Sequence, residues 1–336
     1  MQQRPSVRKW REISRLYGNG KNPEMSVPMK SLIVPILLSV LFPLSACAPG
    51  SEAGSSAGTG GQVATQPFVT GAIPDQDPEK LQRLYSRLSD YLSQELGVPV
   101  EYQPVTDYAA AVTAFRVGDL DMVWFGGLTG VQARLQVPGA EAIAQREIDA
   151  DFRSVFIANK ASGIEPIDDI NELQVLKGRT LTFGSESSTS GRLMPQHFLQ
   201  QGGVSLEDFR GEVGFSNSHD ATIQLVEAGT YEAGVLNKQV WESRVAAGEV
   251  DLDRVQVIWE TPAYYDYHWV INPEVNQRYG DDFVERVQAA LLNLDANNPD
   301  HQEILDLFGA DRFIETENSN YAEIETIGRQ IGKIQN

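Results

Sequence analysis

The chain has 336 residues, 41% of them apolar and 22% charged, enough to bury a core in one large domain or two lobes. It carries 27 Lys and Arg against 46 Asp and Glu, a net charge of −19, which excludes a nucleic-acid footprint and sets it apart from anionic lipid unless it is covalently anchored. One cysteine excludes a disulfide framework, and four scattered histidines without paired spacing argue against a transition-metal site.

Residues 1–28 include Trp10, Tyr17 and several Lys and Arg, an unsuitable opening for an exported protein, so Met29 is the expected start and 1–28 an extension upstream of it. From there the order is Met29-Lys30, an apolar run over 31–42, then Leu44-Ser45-Ala46-Cys47. A positive start, an apolar middle and small residues make 29–46 a secretory signal peptide. The run is shorter than the roughly 20 residues of a membrane span and contains Pro35. Its ending resembles the lipobox of bacterial lipoproteins, which implies cleavage before Cys47 and a diacylglyceryl group on its thiol. Residues 1–30 hold seven basic and two acidic side chains, so the remainder carries 20 against 44, a net of −24. Residues 47–66, rich in Gly, Ser, Ala and Thr, read as a flexible tether.

From residue 68 the pattern alternates strand and helix. Residues 68–73 form a short β-type run. Apolar positions Leu81, Leu84, Tyr85, Leu88, Tyr91, Leu92 and Leu96 recur at helical spacing over 78–96, opened by Asp77-Pro78 and closed by Gly97. Strands are expected over 98–102, 121–125, 140–145 and 154–158, with helices over 107–117 and 129–135. A second set follows Pro166: helices over 168–176, 191–201, 220–228 and 238–246, and strands over 180–183, 212–215, 233–236 and 255–259. A strand at 269–272 and helices over 281–294, 299–308 and 319–334 close the chain.

This alternation predicts an α/β protein with parallel sheets covered by helices. Two such sets predict two α/β lobes: lobe 1 from 67–159 and 261–336, lobe 2 from 160–260, with crossings near 159–161 and 260–263. Ligands of open α/β sheets sit beyond the carboxyl ends of strands, where helix N-termini point, so the strand-to-helix junctions are the places to search.

The richest junction is Phe183-Gly184-Ser185-Glu186-Ser187-Ser188-Thr189-Ser190-Gly191, opening the helix over 191–201. A helix start offers free amides and a positive dipole end to an anion, and hydroxyls add donors. One N-cap needs one hydroxyl, and here there are five Ser and Thr in six residues. Trp124-Phe125-Gly126-Gly127 is a second junction, where aromatics could wall a pocket. Thr106-Asp107-Tyr108 is a third. His219 precedes a helix, and Tyr264-Tyr265-Asp266-Tyr267-His268-Trp269 is dense in aromatic and polar groups near the return to the first lobe.

Trp124-Phe125-Gly126, Ser188-Thr189-Ser190-Gly191 and His219 at a helix start occur in the order seen in phosphonate, phosphite and phosphate ABC-transporter binding proteins, which this chain resembles over about residues 68–313. The resemblance implies a type II periplasmic binding protein fold without a cofactor. It places the oxyanion on Ser188, Thr189 and Ser190, with His219 donating from the same lobe and Tyr108 and Phe125 facing it from the other. Asp266 stands where the family has an acid able to accept a proton from the ligand. Phe125 replaces a Tyr found in many relatives. No carboxylate occurs at Asn237-Lys238-Gln239, where aminoalkylphosphonate binders hold the ligand ammonium. Some relatives with such a serine-rich loop are associated with selenate.

A hydrolase is the rival class, but no Gly-x-Ser-x-Gly elbow is present and nothing pairs a base with a serine. A ligand sensor for a membrane receptor would share the same binding chemistry. The expected role is non-enzymatic: an extracytoplasmic, lipid-anchored monomer that captures a small tetrahedral oxyanion by lobe closure and presents it to an ABC permease. The chain has no Gly-x-x-x-x-Gly-Lys-Ser/Thr loop, so the ATPase would be a separate subunit.

Overall fold

A computed structural model describes residues 66–335. The extension, signal peptide, Cys47 and all of the tether but Gln66 lie outside the described residues. Among the described residues no helix is long and apolar enough to cross a membrane.

The first lobe is built on a six-stranded sheet. Its strands are β1 (Phe68–Ala72), β2 (Val100–Tyr102), β3 (Met122–Phe125), β4 (Glu141–Arg146), β10 (His268–Ile271) and β11 (Phe313–Glu315), in the order β11-β4-β10-β3-β1-β2. β1 runs parallel to β2 and β3, whereas β10 is antiparallel to β3 and β4, with Trp269 opposite Trp124. The second lobe has β5 (Ser154–Asn159), β6 (Leu181–Phe183), β7 (Gly214–Phe215), β8 (Ala233–Asn237) and β9 (Val255–Glu260), in the order β7-β6-β8-β5-β9. Here β5 is antiparallel to β8 and β9. Each sheet is therefore mixed, where the βα alternation alone predicts parallel strands.

The 154–159 strand belongs to the second sheet, not to lobe 1 as the sequence reading had it. The first crossing accordingly lies at 147–153, not 159–161, and the second at 261–267. Residues of an all-buried strand carry no mark of which sheet they join, because the partner that decides it, β8, lies some 75 residues on. The crossings pair with each other. Phe152 and Tyr264 exchange backbone hydrogen bonds of 2.9 and 3.0 Å, and Asp266 N–H donates to the Asp149 carbonyl. Beside them Arg146 grips Asp149 through two 2.7 Å contacts, both side chains buried.

Local chemistry explains the elements that frame the cleft. Helix α1 (Pro78–Leu96) is capped by the Asp77 carboxylate on the Glu79 and Lys80 amides, starts on proline, and stops at Gly97 in the left-handed region. Its apolar stripe packs on the sheet. Helix α2 (Tyr108–Val117) is capped by Asp107, and α3 (Gly127–Gln136) follows β3 directly. In lobe 2, α4 (Met194–Gln201) is preceded by a π-helical turn, Thr189–Leu193, not continuous α-helix from 191. α5 (His219–Glu227) and α6 (Lys238–Ala246) complete that lobe. The remaining helices are α7 (Val275–Tyr279), α8 (Phe283–Leu292), α9 (Pro299–Phe308) and α10 (Ala322–Gln330). The 168–176 segment is a 3-10 helix, Ile170–Leu176, and 3-10 geometry over Asn318–Tyr321 precedes α10. Strand β11 and helix α7 are too short to leave a periodic signal in the sequence.

Candidate functional site

Four chain segments from both lobes converge where strands end: the β3–α3 junction, the start of α2, the β6–α4 turn and the second crossing. The turn is the best developed. Ser188 caps it, its Oγ accepting the Gly191 amide at 2.9 Å. Thr189 Oγ1 accepts the Leu128 amide of α3 at 2.9 Å, so this hydroxyl spans the two lobes. Ser190 is held from behind by Ser154, whose Oγ donates to its carbonyl at 2.7 Å. Gly191 is required by close approach: a Cβ there would lie 2.9 Å from Ser188 Oγ and 3.2 Å from Gly184 Cα. The first amides of such a turn have no partner within the helix and point outward, which is what an anion requires.

Opposite the turn, Asp266 Oδ1 accepts the Gly127 amide at 2.8 Å. Burial pushes its carboxyl up to about 7; the Gly127 amide opposes this and the neighbouring Asp149 charge adds to it. The Thr189 and Ser190 hydroxyls lie near enough to hold it down somewhat. Even so, neither Ser190 Oγ nor Asp266 Oδ2 reaches a hydrogen-bond partner among the described residues. Tyr108 Oη, buried nearby, shares that condition. Burial drives the Tyr108 phenol well above its ordinary range and the Asp75 and Asp266 charges add to this, while Ser188 opposes it. Unpaired buried polar atoms are costly and uncommon, so three of them around one turn indicate a place built for a polar ligand.

Two residues proposed from the sequence stand differently. The Phe125 ring meets Phe115 edge-on at 5.8 Å in the core of lobe 1, a packing role and not a cleft wall. Strand alternation is the cause: Trp124 is the one that turns toward Tyr267, stacking at 5.8 Å. His219 has both ring nitrogens engaged, Nδ1 facing the Asn237 amide at 3.4 Å and Nε2 the Tyr267 hydroxyl at 3.2 Å. Burial lowers its pKa to about 4, so the ring is neutral at pH 7, and an amide donor at Nδ1 leaves the proton on Nε2. Tyr267 then donates to Asp75 Oδ2 at 2.8 Å. His219 thus supports the cleft through Tyr267 instead of pointing a free donor into it.

Asp75 was not singled out from the sequence, and Tyr267 was named only within the aromatic cluster at 264–269. Asp75 follows the end of β1, so the strand-end rule could have found it; burial raises its carboxyl to about 6, with the Tyr267 hydroxyl opposing. His268 carries Asp266 from behind, its Nδ1 at 3.0 Å from the Asp266 carbonyl. Arg192, just past the turn, lies over the Phe183 ring at 4.3 Å, and burial lowers its pKa to about 10. No group of His, Cys, Asp and Glu fit to hold a metal ion occurs among the described residues.

The family model described as the periplasmic substrate-binding protein of phosphonate ABC transporters matches residues 70–321. The chain belongs to this family. It is a periplasmic substrate-binding protein, a transporter component and not an enzyme, and so it works with a permease. A relative from Prochlorococcus marinus strain MIT 9301, described as a probable ABC transporter phosphite binding protein PhnD1, is 50% identical over 265 residues, covering 79% of this chain and 89% of the relative. The solved structure of PhnD1 in complex with methylphosphonate superposes with a TM-score of 0.78 at 49% identity, over 80% of this chain and 100% of that one. The phosphonates-binding periplasmic protein of Escherichia coli K12 is 27% identical over 199 residues, 57% of this chain and 56% of its own length. The aliphatic sulphonate binding protein SsuA of Escherichia coli shares the fold alone, at 12% identity and a TM-score of 0.55, over 80% of this chain and 88% of that one. The PhnD1 and SsuA structures share the periplasmic binding protein fold of this chain.

Proposed function

We propose that this chain captures phosphite or a small phosphonate between its lobes and delivers it to the permease. The observation that carries the reading is the grouping of Tyr108 Oη, Ser190 Oγ and Asp266 Oδ2, buried and unpaired, about the turn at 188–190. The amides and the Ser188, Thr189 and Ser190 hydroxyls donate to the oxyanion from lobe 2, and Tyr108 donates from lobe 1. Asp266 either donates its own proton or accepts one from the ligand. A fully ionised tetrahedral anion such as sulfate or selenate has no proton to share, so it meets the ionised form of Asp266 as a like charge, whereas a protonated phosphite or phosphonate can donate to that form. The relatives named for phosphite and crystallised with methylphosphonate support this ligand class. In this chain the acid that would hold an aminoalkyl ammonium is replaced by Asn237, Lys238 and Gln239, and Lys238 pairs with Glu260 at 2.8 Å, which counts against 2-aminoethylphosphonate.

The anchoring that accompanies this function is a lipid on Cys47 with residues 48–66 as a tether; metabolic labelling with a fatty-acid probe, lost in Cys47→Ser, checks it. The binding reading is tested by calorimetry on the soluble protein with phosphite, methylphosphonate, phosphate, 2-aminoethylphosphonate, sulfate and selenate. Phosphite or methylphosphonate is expected to bind tightest, with Ser190→Ala weakening it at least tenfold. Equal or tighter binding of sulfate or selenate overturns the ligand assignment.

A further inference from the structure

The lobes also meet at the edge of the candidate site, where the loop after β1 approaches the start of α5. The His219 backbone amide donates to the Asp75 carbonyl at 2.9 Å. One residue on, Asp220 Oδ2 accepts the Asp77 amide at 2.8 Å. These two bonds join residue 75 to 219 and 77 to 220, that is, lobe 1 to lobe 2. They are separate from the Leu128–Thr189 contact at the oxyanion turn.

The acceptor is prepared by its own lobe. Arg244 of α6 holds the Asp220 carboxylate with two bonds, Nε to Oδ1 at 2.7 Å and Nη2 to Oδ2 at 3.0 Å. Both side chains are largely buried, at 19% and 14% exposure, and Arg244 is braced in turn by Glu249. The hydrogen bond to Asp220 is the main reason the Arg244 guanidinium is pushed further above its ordinary pKa. Lobe opening separates Asp220 from Asp77 but leaves the Asp220–Arg244 pair intact, because both partners ride on lobe 2. The carboxylate therefore waits in position, and little side-chain entropy is lost when Asp77 N–H returns.

We infer that Asp220, fixed by Arg244, is an interlobe latch that sets how much of the protein is closed and how slowly ligand leaves, without touching the ligand. The apparent dissociation constant of a cleft binder scales inversely with the population of the competent form. Asp220 is thus a positioning residue for capture. It acts through closure, not through the chemistry of the oxyanion. The latch rests on the two-lobe geometry, independently of which anion is bound.

The test uses spin labels on two exposed residues, Asp90 of lobe 1 and Glu207 of lobe 2, in ligand-free and ligand-bound protein. It is paired with stopped-flow dissociation of methylphosphonate. Asp220→Ala is expected to shift the ligand-free distances toward longer separations. It should also speed dissociation about tenfold with an unchanged association rate, the loss expected for one charge-assisted hydrogen bond. Asp220→Asn, which keeps an acceptor, should restore part of the effect. Ser218→Ala removes the α5 cap on the Ala221 amide; it lowers melting temperature without moving the distances, which separates latching from helix stability. Should Asp220→Ala fail to fold, Arg244→Lys, which loosens the two-point grip, is expected to give the same shift in smaller measure. Wild-type distances and an unchanged off-rate in a folded Asp220 or Arg244 variant overturn the proposal. If no anion of the panel binds, the distances alone decide the latch, and only the ligand assignment falls.

Discussion

Asp266→Asn is the most informative single change. Its carboxyl is fully buried, and its pKa stands at about 7 against an ordinary 3.8. Between those values the closed fold keeps a proton that the unfolded chain releases, so this group's contribution to stability falls as pH rises from 4 toward 7 and then levels. The full difference of roughly 3 pKa units corresponds to on the order of 4 kcal/mol; the part falling between pH 6 and 8 is on the order of 1 kcal/mol. Opening of the cleft hydrates the carboxyl, which makes these upper figures. Other titrating groups slope too: Asp75, raised to about 6, acts in the same sense. His219 and His268, lowered to about 4 and about 3, act in the opposite one, since their neutral burial stabilises only above the unfolded histidine pKa. All of these are common to both proteins. The variant-minus-wild-type difference therefore isolates Asp266. Urea unfolding of ligand-free protein at pH 6, 7 and 8 should show that difference growing in favour of Asn, by up to about 1 kcal/mol. A difference constant across that range refutes the protonated-acid account of the site.

Two further predictions follow from the supports of the cleft. A Cβ at Gly130 would lie 2.3 Å from His268 Nε2, so Gly130→Ala must displace the ring that holds the Asp266 carbonyl; calorimetry should find ligand affinity reduced at least tenfold while circular dichroism stays native. Arg146→Met leaves Asp149 buried without its partner at the crossing between lobes, a loss of about 3–5 kcal/mol in urea unfolding at pH 7; a loss under 1 kcal/mol would mean that water or a neighbour replaces the guanidinium.

Much of this architecture was legible in the chain because its signals are local. The Asp77-Pro78 start, the apolar stripe to Leu96 and the Gly97 stop define α1 to the residue, and 238–246 and 299–308 are equally plain. The hydroxyl-rich turn was legible too, since more hydroxyls than a cap requires is a chemical excess visible without a structure. What depended on long-range pairing was not. β5 was placed in the wrong lobe, because nothing in Ser154–Asn159 names its partners. Which side of the strand Phe125 faces could not be read from the chain, since all four residues of β3 are buried and alternation has no polar face to reveal it. That the His219 ring engages Tyr267 and Asn237 required knowing that these residues, distant in sequence, would reach both ring positions. Asp75 was missed although it lies just beyond the first strand, because a lone carboxylate there looks like turn chemistry.

A crystal structure of the protein with methylphosphonate tests the central claim most directly. The account predicts phosphonate oxygens within hydrogen-bond distance, about 2.5–3.0 Å, of Ser190 Oγ, Tyr108 Oη and Asp266 Oδ2. Phosphonate bound elsewhere, for example in the groove beside Lys80 and Glu303, with those three atoms still unpaired, would contradict it.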